Sequence, residues 1–334
     1  MTKTEGNILL KAVDLKKVQK YNVAVDHLNL LVPPHSNTAI IGETGSGKTT
    51  LLKLLAGLEQ PDNGSIYYKG ERLIGPNECL IPGHPEIAFL SQHFELFNNY
   101  YVHEFLSYRN EYSDEEALDL FRLCKIDHLL KRKTNELSGG ERQRIALAKQ
   151  LISKPSVLLL DEPFSNLDNI NKLIIKSILQ EVKQKYSITF VMVSHDALEV
   201  LSWADTIHIL EKGRIVQSGN PGMLYRQPVS LYCAGLLGEF DLIENFDQYS
   251  LWSHLSNSNT KDKKLFIRPD YLQVDKLSKL QDGFLVKNVT FYGNYSLISF
   301  QFFDLELRAV SINSNIAVGD FVQITYQSQE HWYL

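Results

Sequence analysis

Eight residues, GETGSGKT at positions 42–49, constrain this chain more than any other segment. They follow a short apolar run, residues 37–41 (NTAII), and precede a stretch in which Leu51, Leu52, Leu54, Leu55 and Leu58 recur at three- and four-residue steps. The run reads as a buried strand and the stretch as the apolar face of a helix. A strand, a glycine-rich bend and a helix in that order make a cradle for a polyphosphate, because glycines let successive backbone amides turn towards the phosphates. In that cradle Lys48 neutralises the outer phosphates and Thr49 offers its hydroxyl to magnesium.

Later apolar runs at 87–90, 157–160 and 188–193 have buried-strand character and are separated by helical patterns. The first part of the chain therefore predicts alternating strands and helices around a mostly parallel sheet. From about 99 to 136 the texture turns charged and amphipathic, which predicts a helical insertion, taken as about 93–152 with the helix that follows. Periodicity fades beyond Tyr232, and the polar stretch 253–264 (SHLSNSNTKDKK) reads as part of a linker. Beyond it Ile298, Phe300 and Phe302 alternate with Ser299 and Gln301, Leu305 and Leu307 alternate with Glu306 and Arg308, and 321–326 follows a Gly319-Asp320 turn. That pattern predicts a small antiparallel barrel or sandwich.

A length of 334 residues suits two domains. The net charge of -5 disfavours a general grip on nucleic acid, so no nucleic-acid partner is expected. Three separated cysteines, Cys79, Cys124 and Cys233, suggest a reducing compartment without a disulfide framework. The amino terminus lacks the apolar core of a secretion signal, and no window offers the roughly 18 apolar residues of a membrane span. Service to a membrane is expected from its surface only.

Two further segments carry chemistry. Asp161 and Glu162 end the apolar run VLLL, where neighbouring carboxylates are costly unless a cation or hydrogen bonds offset them. Asp161 fits a magnesium shell, directly or through water, and Glu162 fits a base that deprotonates an attacking water. Ser138 and Glu141, in LSGGE at 137–141, stand in the capping-box relation and open a helix. Such a start, preceded by glycines, either binds an anion or is simply a well-capped helix.

Together these residues resemble the ATP-binding cassette (ABC) family, whose signature is LSGGQ; this chain has Glu141 in place of the glutamine, and both residues can close the capping box. The resemblance spans roughly residues 8–235 with the motifs in family order. It implies ATP and Mg2+ as cofactors, with Gly42, Glu43, Thr44, Gly45, Ser46, Gly47, Lys48, Thr49 and Thr50 around the phosphates. By the same likeness Tyr21 stacks on adenine, Gln92 reaches the metal and the attacking water, His195 contacts the terminal phosphate, and Asp168 belongs to a segment that links two sites across a dimer. Ser138, Gly139, Gly140 and Glu141 then cover the nucleotide of a second copy. Thr49, Gln92 and Asp161 form the implied metal set, and Glu162, Gln92 and His195 the catalytic one.

Residues 265–334 resemble the barrel-like accessory domain of importer ATPases, on Arg268-Pro269-Asp270, the turn at Gly293-Asn294, and Gly319-Asp320. The expected plan is a P-loop α/β cassette over 1–235 with its helical insertion, a linker over 236–264, and an OB-like all-β domain over 265–334. The expected function is the ATP-hydrolysing subunit of an importer at the cytoplasmic face of the plasma membrane, with ferric iron favoured over polyamine or an oxyanion. Its expected partners are a second copy, integral-membrane permease subunits and, indirectly, a solute-binding protein. Phe94, Leu96, Phe97 and Tyr100 are expected to line the groove that receives the permease. The alternatives are an exporter subunit, a soluble ABC ATPase, and a regulatory nucleotide-binding protein without turnover.

Overall fold

The computed structural model describes residues 8–94, 96–165, 167–255, 263–277, 283–312, 315–328 and 331–334. These divide into two compact units, Met1–Pro221 and Gly222–Leu334.

The first unit contains, in chain order, β1 (Leu10–Gln19), β2 (Asn22–Val32), β3 (Asn37–Ile41), α1 (Lys48–Leu55), β4 (Asn63–Tyr68), β5 (Glu71–Arg72), β6 (Ile87–Leu90), α2 (Val102–Ser107), α3 (Asp114–Leu123) and α4 (Gly139–Leu151). β7 (Val157–Asp161), α5 (Asn169–Tyr186), β8 (Thr189–Ser194), α6 (Ala197–Leu201), β9 (Thr206–Glu211) and β10 (Arg214–Gly219) complete it. Six strands form one sheet in the order β10-β9-β3-β8-β7-β6. β9, β3, β8, β7 and β6 run parallel, and β10 returns antiparallel on β9.

Residues of β3, β7 and β8 are buried along their whole length, as strands covered on both faces must be. Leu51, Leu52, Leu54 and Leu55 of α1 join that core, as their spacing predicts. Register does the rest: Ile41 lies beside Ser194, Asp161 beside Val193, and Leu90 beside Leu160. The segments that follow these strands therefore leave the sheet at one carboxyl edge, where open α/β sheets place their sites.

A second, antiparallel sheet in the order β2-β1-β4-β5 is not foreseen by the sequence reading. The pairing of β1 shifts register between Ala12 and Leu15, Leu15 and Lys17, and Lys17 and Val18, so its apolar residues lose the strict two-residue alternation that betrays a strand.

The second unit starts at 222, so two short helices and a strand precede the stretch 265–334, whose strands make the small β domain that the sequence predicts. The unit opens with α7 (Pro221–Arg226) and α8 (Leu231–Leu236), followed by β11 (Asp241–Ile243), β12 (Leu265–Ile267), β13 (Leu272–Lys276), β14 (Phe284–Phe291), β15 (Ser296–Phe302), β16 (Leu305–Ser311), β17 (Phe321–Tyr326) and β18 (Trp332–Tyr333). Two antiparallel sheets result, β11-β12-β18 and β13-β17-β14-β15-β16. Ile298, Phe300, Phe302 and Leu307 face inwards, as their alternation predicts.

The expected linker at 236–264 departs from the structure over its first part. β11 pairs with β12, and Phe246, Tyr249 and Trp252 enter the second core, where the Trp252 ring lies 5.1 Å from that of Phe302. Hydrophobic burial, invisible to a search for helix or strand periodicity, orders this stretch. Residues 256–262 of the expected linker lie outside the described residues.

Candidate active site

The loop after β3 is shaped by what its glycines must avoid. Gly47 has φ 104, and a Cβ there would come within 1.9 Å of the Ala24 carbonyl oxygen on β2. Any side chain would force loop and strand apart. Gly45, in contrast, faces open space on its missing-side-chain side, with φ 84.

Lys48 opens α1 and is buried, its Nζ donating to the carbonyl oxygens of Gly42 at 2.7 Å and Glu43 at 2.8 Å. Burial lowers its pKa, opposed by the nearby charges of Glu162, Asp161 and Glu43. Thr49 Oγ1 donates to Asp161 Oδ1 at 3.0 Å. Burial pushes the Asp161 carboxyl up, and the charge of Glu162 adds to it, against the Thr49 hydrogen bond. The Ser46 hydroxyl is buried with no partner among the described residues.

Glu162 sits in the left-handed region at φ 48, a sparsely populated conformation for a residue with a side chain. Its amide donates to the Val193 carbonyl at 3.0 Å, and its own carbonyl accepts from Ser165 N at 3.1 Å. The bend turns the carboxylate towards two neighbours: Gln92 Nε2 donates to Glu162 Oε2 at 3.1 Å, and His195 Nδ1 lies 3.1 Å from the same oxygen.

These side chains border a cleft of ≈ 950 Å³ lined by Thr44, Gly45, Gly47, Lys48, Thr49, Thr50, Gln92, Glu162, His195 and Tyr21, together with Gln19, Lys20, Asn22, Val23 and Ala24. Tyr21 is almost wholly exposed in the turn between β1 and β2. The five lining residues Gln19, Lys20, Asn22, Val23 and Ala24 escaped the sequence reading. Their only signal was adjacency to Tyr21, because hairpin flanks carry no motif of their own.

Gly42, Glu43, Ser46 and Asp161 build the loop and its floor without lining the cleft. Ser138, Gly139, Gly140, Glu141 and Asp168 are also absent from its lining. Ser138 Oγ accepts from Glu141 N at 3.4 Å, while Ser138 N donates to Glu141 Oε2 at 2.8 Å, so the capping box is formed with glutamate. That backbone hydrogen bond lowers the Glu141 pKa. Asp168 caps α5 by accepting from Asn171 N at 2.8 Å. Asn166, within the same segment, lies outside the described residues.

The donors fit the chemistry read from the sequence. A cation partly stripped of water, a buried hydroxyl lacking a partner, and an open glycine turn suit a polyphosphate. A hydroxyl and a carboxylate 3.0 Å apart are hard oxygen donors of the kind magnesium takes.

The family model described as ABC transporter matches residues 25–165. A sulfate/thiosulfate import ATP-binding protein of Mesostigma viride is 34% identical over 88% of this chain and 85% of its own. An Fe(3+) ions import ATP-binding protein of Photorhabdus laumondii is 32% identical over 84% of each chain. Among solved structures, cbiO1 from Clostridium perfringens, part of an ABC transporter complex, aligns with TM-score 0.60 at 26% identity, covering 66% of this chain and 91% of that one. The ATP-binding cassette MJ0796, in a dimeric post-hydrolysis state bound to ADP and Pi, aligns with TM-score 0.56 at 25% identity, covering 64% of this chain and 99% of that one. The fold is that of a P-loop ABC ATPase. The chain belongs to the ABC transporter family, on the side of its import ATP-binding proteins.

Proposed function

We propose that this chain is the ATP-hydrolysing subunit of an uptake transporter, working as a head-to-tail pair on separate membrane subunits. One observation carries the reading: Lys48, Thr49, Gln92, Glu162 and His195 meet at one cleft, with Asp161 hydrogen-bonded beneath Thr49. Relatives named for the import of sulfate, ferric iron, spermidine and glucose support uptake over export.

Tyr21 would stack on the adenine, while the amides of 42–50 and the Lys48 ammonium would hold the phosphates. Thr49 and Asp161, together with Gln92, would hold magnesium, which would supply charge neutralisation to the phosphates. Glu162 Oε2 accepts a proton as the water oxygen bonds to the terminal phosphorus and that phosphorus parts from the bridging oxygen. Gln92 orients the water, and His195 steadies Glu162 and the terminal phosphate.

Ser138–Glu141 and Asp168 do not line their own chain's cleft, and this supports a role over the cleft of a second copy. ATP would then favour the paired state through its extra contacts there, and only that difference in affinity can drive movement. Among the described residues no helix is long and apolar enough to cross a membrane. Attachment at the cytoplasmic face would therefore run through the membrane subunits, with Phe97 and Tyr100, both exposed after Gln92, in the docking groove alongside Phe94 and Leu96. The same cassette serves relatives named for four different solutes, which supports solute choice by the membrane subunits and a solute-binding protein.

Phosphate release from Mg-ATP by the purified chain, and its loss in Lys48→Ala together with weakened nucleotide binding, tests the reading. Undiminished turnover in Lys48→Ala would overturn it.

A further inference from the structure

α4 begins at the Ser138 cap and carries Lys149 in its last turn. The Lys149 side chain is folded onto α2 rather than extended into water. Its Nζ donates to the Phe105 carbonyl oxygen at 2.9 Å and to that of Tyr108. These carbonyls lie at the end of α2, where backbone acceptors have run out of intrahelical donors. The ammonium also sits 5.3 Å from the ring centre of Phe105 and 5.0 Å from that of Tyr108. Burial, aided by the like charge of Arg109, lowers its pKa to about 8, so it remains largely charged at neutral pH while shedding part of its water.

The contact continues past α2. The Phe105 ring meets Phe97 edge-on at 5.9 Å, and Phe97 lies 6.0 Å from Tyr100. Thr134 fastens the same segment, its Oγ1 donating to the Phe97 carbonyl at 2.6 Å and its amide to the Tyr100 carbonyl at 2.9 Å. One end of this chain of contacts is the helix whose start is proposed to cover a second copy's nucleotide. The other is the exposed aromatic segment after Gln92.

We propose that Lys149 is a positioning residue that ties the end of α2 to α4, so that capture of nucleotide at Ser138–Glu141 is transmitted to the Phe97–Tyr100 segment. The inference rests on the nucleotide-dependent pairing proposed above and names the side chain that carries its effect. A lysine-to-methionine change keeps the length and the apolar stem but removes both carbonyl hydrogen bonds.

The test is amide hydrogen exchange of the full chain with and without magnesium and adenylyl imidodiphosphate, with analogue affinity and thermal unfolding measured in parallel. In the wild type, exchange should slow in both 138–142 and 97–108, by about fivefold or more, the lower range of inter-site coupling. In Lys149→Met the slowing at 138–142 should persist while that at 97–108 disappears, and Lys149→Arg should restore it. If Lys149→Met unfolds, Lys149→Gln serves in its place. Equal slowing of 97–108 in the neutral variant and the wild type would overturn the inference while leaving the pairing intact. No slowing at 138–142 in wild type with analogue bound would instead overturn the pairing itself.

Discussion

Gln92 Nε2 donates to Glu162 Oε2 at 3.1 Å, joining the start of the loop after one strand to the residue after another strand. The two lie 70 positions apart and meet because β6 and β7 are adjacent and parallel, with Leu90 beside Leu160. The proposed base is thus held by a residue whose own loop runs on to the exposed Phe97 and Tyr100. If Gln92 orients water against Glu162, Gln92→Ala should lower kcat by roughly 10- to 100-fold while nucleotide affinity stays within about twofold. Steady-state kinetics beside an equilibrium binding titration separate the two. A change confined to KM would place Gln92 in nucleotide binding alone.

Gly47→Ala should damage both the loop and the fold around it. The added methyl would meet the Ala24 carbonyl oxygen at 1.9 Å in a backbone conformation that disfavours a side chain. A stability loss of about 1–3 kcal/mol is expected for the backbone strain alone. Nucleotide affinity should fall with it, and chemical denaturation with a binding titration would measure both.

His208 gives the first unit a pH dependence of defined sign. It is buried on β9, its Nδ1 shares a hydrogen bond with Ser218 Oγ at 2.7 Å, and burial lowers its pKa from 6.5 to about 4. Between those values the unfolded chain takes up a proton that the folded chain refuses. This contribution is therefore fully present above pH 6.5 and is lost as pH falls towards 4, by at most about 3 kcal/mol at ~1.4 kcal/mol per unit. Denaturant unfolding at stepped pH should show that slope in wild type and a shallower one in His208→Gln.

Trp252 tests the boundary between linker and core. It is fully buried, with the rings of Tyr249 at 6.1 Å, Phe302 at 5.1 Å and Tyr326 at 6.1 Å. Trp252→Ala should destabilise the second unit by about 3–5 kcal/mol. An unchanged melting profile would return this stretch to the status of a linker.

The phosphate loop and the carboxylate pair were legible because their residue types are demanded by local chemistry: glycine where backbone approaches backbone at Ala24, a threonine and an aspartate that must meet. What placed them together, the parallel register of β3, β7 and β8, leaves no local trace beyond apolar strands. β1 leaves no strand signal in the sequence because its shifts of register scramble alternation. The stretch 236–255 reads as linker in the sequence because Trp252 and its neighbours are ordered by burial, without a periodic pattern. Lys149 was invisible for another reason: a side chain bound to carbonyl oxygens has no partner residue type for a sequence to reveal.

Glu162 is proposed to complete a site which closes only when two copies share ATP. Glu162→Gln keeps the shape of the side chain and removes its ability to take a proton, so phosphate release and molar mass in solution, both measured with Mg-ATP, bear on it together. Turnover should be lost, with an ATP-bound species of twice the monomer mass that the wild type holds only transiently. Wild-type turnover in the purified variant, or a monomer that binds ATP without ever pairing, would contradict the proposal.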